Sequence, residues 1–519
     1  MRDLIFVSLE NWDEVWRRNQ FVCAELSRRF PNRRILFVGR PLFVPQLASQ
    51  MRSARSRVAV LRALRRRLWR VPELSNIWVF NPVKPLPNPL PGARALNENW
   101  QAAQIRGAAR RAGLDNPMLW LNPHDSGYLI GRLGERGVVY DITDDWELAE
   151  LDPSIAARIA ALDRALCQSA DLTMVCSTAL YQSRREVARD LALIPNGVNV
   201  ADYARIDQLD ARAPGAFNAN GVFQAQNAAP ARTATNGNAA SGDATPNGAA
   251  LFGAANGATS GDAAPNGATR DDATRDGAKA SEGAKANNEA KVNGEAKANG
   301  EAKANGGAKA NGGASALLNA VWERAWPRPV FGYTGTLHRE RIDLDLVVQL
   351  ARAHPGGSVV LVGPQHWADD SLQKALSENS NLHAPGAVPY KRIAQVMAHF
   401  DVCIVPHRCS EFVESLNPIK LWEYLAAGKP IVSTDVAGFR DFPQLVRIAH
   451  NAPEFVAQCR AALAEIGASA GRELRDARRA EAAQHGWNAR VDEMLDKWRE
   501  LGLIEASSDR TEETATPVS

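Results

Sequence analysis

The chain has 519 residues, a formal net charge of +3 and six cysteines. Residues 216–315 hold 61 Ala, Gly or Asn in 100 positions and none of the 13 Trp or 7 Tyr, too little bulk to bury the apolar surface that offsets ordering entropy. The other residues, about 419 of them, suffice for two or three domains, which excludes both a small single-domain binder and a wholly disordered chain.

The 216–315 segment carries nine basic and nine acidic residues, so the globular remainder is also near neutral. That balance does not suit a nucleic-acid binder. Cys23, Cys167, Cys176, Cys403, Cys409 and Cys459 form no CxxC and no zinc spacing with histidine. Scattered thiols of this kind point to core positions in a reducing compartment. No apolar run reaches the roughly 18–20 residues that span a bilayer. The first apolar run, Leu4 to Val7, is followed by Glu10 and Asp13; it reads as a buried strand and is too short for a secretory signal.

In chain order, strands are predicted at Leu4–Ser8, Ile35–Val38, Ile77–Phe80, Met118–Leu121, Val138–Asp141, Leu172–Cys176 and Ala192–Ile194. Helices are predicted at Arg17–Arg29, Asn97–Ala112 and Pro153–Ser169. Strands alternating with helix-length stretches imply a parallel, doubly wound α/β sheet. The pattern returns at Val330–Tyr333, Ser358–Val362, Leu382–Ala384, Val402–Val405, Ile431–Ser433 and Leu445–Ala449. Between the halves, Lys279, Lys285, Lys291, Lys297, Lys303 and Lys309 mark a six-residue repeat. Its coils lack the large aliphatic residue a β-helix needs, so it reads as an expanded linker. A helix over 472–503 contains Trp487 and Trp498, and a polar tail follows.

The stretch from Cys403 to Thr434 carries the most chemistry. Asn417 is expected to cap a helix that has Pro418 in its first position and closes at Gly428. A helix start outside the carboxyl ends of parallel strands attracts anions. Lys420 and Glu423 share one face of it. A lysine beside free helix N–H groups suits a diphosphate, and a carboxylate one turn on suits ribose hydroxyls. An exposed ion pair on an ordinary crossover helix is the alternative. Gly335, just after the Val330–Tyr333 strand, allows backbone to approach phosphate, and Arg341 adds positive charge. Neither GxGxxG nor a P-loop is present.

Arg341, Gly363, Gly386-Ala387-Val388 and the run from Asn417 to Thr434 together resemble the carboxyl domain of GT-B glycosyltransferases close to family 4. Leu193 to Val198 is similar to the segment that ends the amino domain in that family. The resemblance implies two Rossmann-like domains facing a cleft: 1–205 for the acceptor and 321–480 for a nucleotide-sugar donor. These would be joined by a 206–320 linker and followed by a 481–505 helix and a 506–519 tail. It also implies donor contacts from Gly335, Thr336, Arg341, Gly363, Val388, Ser415, Leu416, Asn417, Lys420 and Glu423, with His124 beside the donor sugar. The chain departs from the family at Ser415, where a glutamate is usual, and at Thr336, where an arginine is frequent.

The activity so implied is transfer of a sugar, with retention, from a nucleotide-diphosphate sugar to a lipid-linked or polysaccharide acceptor. No cofactor or metal is expected, because Lys420, Arg341 and the helix end would offset the leaving charge. The Asp343-Leu344-Asp345 triplet matches a manganese-binding pattern, but it falls at a helix start, where acids are common. On the acceptor side stand Arg18, Asp125, Asp144 and Asp145, with Glu10, Asn11 and Arg17 also candidates to line the cleft. Residues 51–71 hold eight arginines, with Leu61, Leu64 and Leu68 on one helical face and Trp69 beside it. That is the pattern of an anionic-membrane surface helix, and it suggests a cytoplasmic protein peripheral to the inner membrane face. Two alternatives keep the fold: a sugar-nucleotide epimerase, and a degenerate transferase that serves as a binding partner.

Overall fold

The computed structural model describes residues 1–50, 67–88, 90–149, 152–208, 326–367 and 369–505. The predicted linker from residue 209 onward, the 506–519 tail and the 51–66 part of the basic stretch lie outside these residues.

In the amino half, eight strands form one sheet: β1 (Leu4–Val7), β2 (Ile35–Val38), β3 (Leu68–Val71), β4 (Leu74–Phe80), β5 (Met118–Leu121), β6 (Val138–Ile142), β7 (Leu172–Val175) and β8 (Leu191–Leu193). Their order is β8-β7-β6-β5-β1-β2-β4-β3, parallel throughout except for β3 against β4. The unbroken apolar runs of β1, β2 and β5 are buried along their whole length. Both faces of a parallel sheet are covered by its crossover segments, so alternation is lost. Helices α1 (Arg18–Arg29), α2 (Ala93–Ala112) and α3 (Pro153–Ser169) supply that cover. Asp152 starts α3 by accepting from the Ser154 and Ile155 amides, with Pro153 in the first turn.

The edge strand β3 corrects the surface-helix expectation for 51–71 in its described part. Leu68 and Trp69 extend against Phe80 and Val79 of β4, and Arg70 lies 4.7 Å over the Trp78 ring. A turn at Pro72-Glu73 makes a hairpin here, and backbone pairing with β4 outweighs the helical spacing of the leucines.

The main sheet of the carboxyl half has six parallel strands: β9 (Val330–Thr334), β10 (Ser358–Val362), β11 (Leu382–Gly386), β12 (Val402–Val405), β13 (Ile431–Thr434) and β14 (Arg447–Ala449). Their order, β11-β10-β9-β12-β13-β14, is the Rossmann order, which reverses between β9 and β12 and opens a crevice there. Helix α4 (Leu344–Ala353) is capped by Asp343, whose carboxylate accepts from the Leu346 amide at 3.1 Å. Helix α5 (Ile419–Ala427) joins β12 to β13 and ends at Gly428, in the left-handed region at φ 68°. Helix α6 (Ala452–Ala464) follows β14.

The predicted single helix over 472–503 is two, α7 (Ser469–Ala483) and α8 (Trp487–Glu500). The break is a chain crossing. Val198 donates to the His485 carbonyl at 2.9 Å, and Trp487 donates to the Val198 carbonyl at 3.2 Å. Beyond it, α8 returns to the amino half and buries Trp487, Val491, Met494, Leu495 and Trp498 with Leu4, Phe6 and Trp120. Each large apolar side chain so buried contributes about 1.5–3 kcal/mol. Among the described residues, the chain segments at 198 and at 485–487 thus run side by side where they pass between the halves.

Candidate active site

Three glycines sit at the carboxyl ends of adjacent strands. Gly335 follows β9, Gly363 follows β10 and Gly386 ends β11, with φ of 143°, 156° and 97°. The ladder continues through them: Gly335 donates to the Val362 carbonyl at 2.8 Å, and Gly363 to the Gly386 carbonyl at 2.9 Å. A Cβ on Gly363 would lie 1.9 Å from the Gly335 carbonyl oxygen. Only bare backbone fits there, and the result is an open floor at the strand ends.

Helix α5 is fastened over that floor. The Tyr424 hydroxyl accepts from the Thr334 amide at 2.8 Å. Lys420 then reaches across Gly335, where an added Cβ would meet its Cε at 2.1 Å, and its ammonium stands 5.4 Å over the Tyr333 ring. Glu423, one turn on, faces the buried Tyr203. Burial, reinforced by Arg341, holds the Lys420 ammonium below the usual lysine range; burial raises the Glu423 carboxyl, against the pull of Lys420.

Arg341 is held by paired loops: Arg408 donates to its carbonyl at 2.8 Å, and Asp343 donates to the Pro406 carbonyl at 2.8 Å. Its guanidinium lies 5.2 Å over the Phe412 ring and bonds Asp144 of the amino half at 3.2 Å. On the amino side, Glu10 pairs with Arg17 at 3.3 Å, and burial pushes its carboxyl up to about 7. His366 is pushed down to about 4 by burial and by the neighbouring charges of His338, Arg17, Arg40 and Arg341. Cations thus meet at this cleft from both halves, a field suited to a polyanion.

Other predicted residues fall in different places. His124 is half-buried with an unpartnered buried Nδ1, in a pocket it shares with Asn122, Thr143, Asp144 and Trp146. Asp125 is exposed, within electrostatic reach of Lys84. Thr336 is half-buried on the loop after Gly335. Val388 and Leu416 are core residues. Ser415 is buried; its hydroxyl donates to the Phe412 carbonyl, and its own carbonyl accepts from Ser177 at 2.6 Å. Asn417 does not cap α5. Pro418 holds the cap position, while the Asn417 side chain accepts from the Asn196 amide at 2.8 Å, across the halves.

Two acceptor-side candidates are held in buried ion pairs. Arg18 is buried and bonded to both oxygens of Asp141 and to the Pro195 carbonyl. Asp145 is buried against Arg184 at 2.9 Å, in a network that Asp163 shares. Both turn inward because a buried charge requires a partner. Asn11 likewise serves structure, accepting from Asn81 and from the Arg40 amide.

Two residues at the site were not anticipated. His407 is buried beside Lys420 and Arg341, 3.3 Å from the Tyr333 hydroxyl, and burial holds it well below the usual histidine range. Its place two residues past β12, at the strand-order reversal, was a usable signal. Tyr203 is separated from Glu423 by the whole low-complexity segment, and no local pattern links them. Among the described residues no cluster has the composition of a metal site.

Residues 328–465 match the family described as Glycosyl transferases group 1. A putative teichuronic acid biosynthesis glycosyltransferase, TuaH of Bacillus subtilis (strain 168), is 26% identical over 163 residues, covering 31% of this chain and 40% of that relative's length. Among solved structures, sucrose-phosphate synthase from Thermosynechococcus elongatus superposes with a TM-score of 0.57 at 12% identity, over 97% of this chain and all of that one. Anabaena HepE in complex with UDP and glucose gives 0.52 at 12% identity, over 96% of this chain and 100% of its own. An alpha,alpha-trehalose-phosphate synthase from Burkholderia vietnamiensis gives 0.51 at 11% identity, with 96% and 100% covered. Residues 328–465 are therefore a group 1 glycosyl transferase domain, and the described chain has the GT-B architecture of two Rossmann-type halves.

Proposed function

We propose that this chain moves a sugar from a nucleotide-diphosphate sugar to a lipid-linked or polysaccharide acceptor, in the building of a surface polysaccharide. The observation that carries the donor reading is Lys420 lying across Gly335 of the glycine floor, with Arg341 and Glu423 within electrostatic reach of it. The ammonium and guanidinium meet the diphosphate, the start of α5 adds its dipole, and Glu423 takes the ribose hydroxyls. The UDP and glucose named for the HepE structure, and the polymer named for TuaH, agree in chemical class.

In the retaining reaction, the bond from the anomeric carbon to phosphate oxygen breaks, and its electron pair leaves with the diphosphate. The acceptor oxygen bonds the same face, and its proton passes to the departing phosphate oxygen. Lys420 and Arg341 stabilise the charge that develops. To His124, in the amino-half pocket it shares with Asp144, we assign a contact with the reacting sugar. A thermal-shift screen of sugar nucleotides tests the donor: ligand binding raises the melting temperature with concentration, and no shift with any of them overturns the proposal.

A lipid-linked acceptor calls for a membrane surface. No helix among the described residues is long and apolar enough to cross a membrane. On α2, Leu96 and Trp100 are 59% and 55% exposed, with Arg106, Arg110 and Arg111 exposed further along. Exposed apolar groups beside arginines suit an anionic interface, which supports peripheral placement at the cytoplasmic face. In flotation with anionic phospholipid vesicles, Leu96→Ser/Trp100→Ser is expected to lower the floated fraction severalfold. Equal recovery with wild type rejects this surface.

Excess linker length costs only about 0.6 kcal/mol per doubling in closure entropy. Deleting 216–312 is therefore expected to leave donor turnover within about twofold of wild type. A deletion variant that stays folded but loses turnover would give the repeat segment a role in the reaction.

A further inference from the structure

The Arg341–Asp144 pair joins a donor-side cation to an amino-half carboxylate. Arg341 is the residue placed to meet a diphosphate, and its Nη2 instead donates to Asp144 Oδ1 at 3.2 Å. Thr143 steadies the other oxygen, its hydroxyl donating to Oδ2 at 3.2 Å. Phe412, under the guanidinium, lies 6.4 Å from Trp146, two residues after Asp144, so an aromatic pair brackets the contact. Both side chains keep about a fifth to a quarter of their exposure, at 24% and 21%.

The bond is single and longer than the roughly 2.7–2.9 Å of strong charge-assisted pairs. A carboxylate offers one negative charge here, whereas a nucleoside diphosphate offers more charge and more acceptor oxygens. We propose that Asp144 is an internal counter-anion that holds Arg341 in place of the donor diphosphate and is displaced when the donor binds. The inference rests on the donor-site reading above. Displacement frees the carboxylate into the pocket it shares with His124, on the acceptor side. Donor arrival thereby prepares the place where the acceptor binds.

The test is calorimetric binding of UDP, GDP, ADP and dTDP to the full-length chain. For whichever diphosphate binds wild type, D144N is expected to bind about fivefold tighter, in keeping with the modest strength of a partly exposed pair. D144E restores the carboxylate and is expected to return affinity to the wild-type level. In the R341Q background, adding D144N is expected to give no gain. Thermal melting checks folding, and D144S carries the same expectation if D144N is unstable. Equal or weaker binding by D144N, or a gain that persists without Arg341, overturns the counter-anion role and leaves the donor site standing. If none of the four binds wild type, the donor site falls and this inference with it.

Discussion

Lys420→Ala is expected to lower turnover of the donor by about a hundred- to a thousandfold, the usual cost of removing one preorganised group from a developing negative charge. The protein should stay folded. Lys420 reaches across Gly335 to lie over Tyr333, and Tyr424, not Lys420, fastens the helix to the β9 end. Glu423→Ala should instead act mainly through donor binding, because ribose hydroxyls are held alike in ground and transition states. Unchanged hydrolysis of the active sugar nucleotide in both variants would remove the site from α5.

The pH profile follows from the same pair. The working form of Lys420 is the ammonium, and burial with Arg341 nearby lowers its pKa. That form is lost as pH rises through the lowered value. The working form of Glu423 is the carboxylate, and burial raises its pKa, so that form is lost as pH falls through the raised value. The optimum is therefore squeezed from both sides. Lys420→Arg keeps a cation at any accessible pH, and its alkaline limb should move upward even if its maximum rate is lower. An unmoved alkaline limb would assign that limb to another group.

Where the chain was legible and where it was not follows a physical division. The sheets could be read because parallel strands buried on both faces appear as bare apolar runs, as at Ile35–Val38 and Val402–Val405. Helix α5 was legible from Pro418 and Gly428, and Lys420 and Glu423 came with it on one turn. Residues whose place depends on a distant partner were not legible. Arg18 follows the first strand as a cleft residue would, but Asp141, far along the chain, turns it inward. Asp144 and Asp145 are neighbours, yet one reaches Arg341 and the other Arg184. Asn417 has the composition of a cap and is taken instead by Asn196. The break between α7 and α8 exists because Val198 pairs there, and nothing within 472–503 states it.

The buried Arg18–Asp141 pair carries the largest expected stability effect. Arg18 Nε bonds Asp141 Oδ2 at 3.0 Å and Nη2 bonds Oδ1 at 3.1 Å, with both residues buried. Nη1 reaches the Pro195 carbonyl and Asn196 Oδ1, and Asn196 in turn holds Asn417. Asp141→Ala leaves a buried guanidinium without its counter-charge, at a cost of about 3–5 kcal/mol. For a half of this size that corresponds to a fall of about 10 °C in melting temperature. Replacing both partners by apolar side chains, Arg18→Met/Asp141→Leu, removes the uncompensated charge and should recover most of the loss. The double variant also separates structure from chemistry. A purely structural Arg18 predicts that donor binding and acceptor-dependent transfer both survive once stability is restored. A variant that melts like wild type but has lost transfer would return Arg18 to the acceptor side of the cleft.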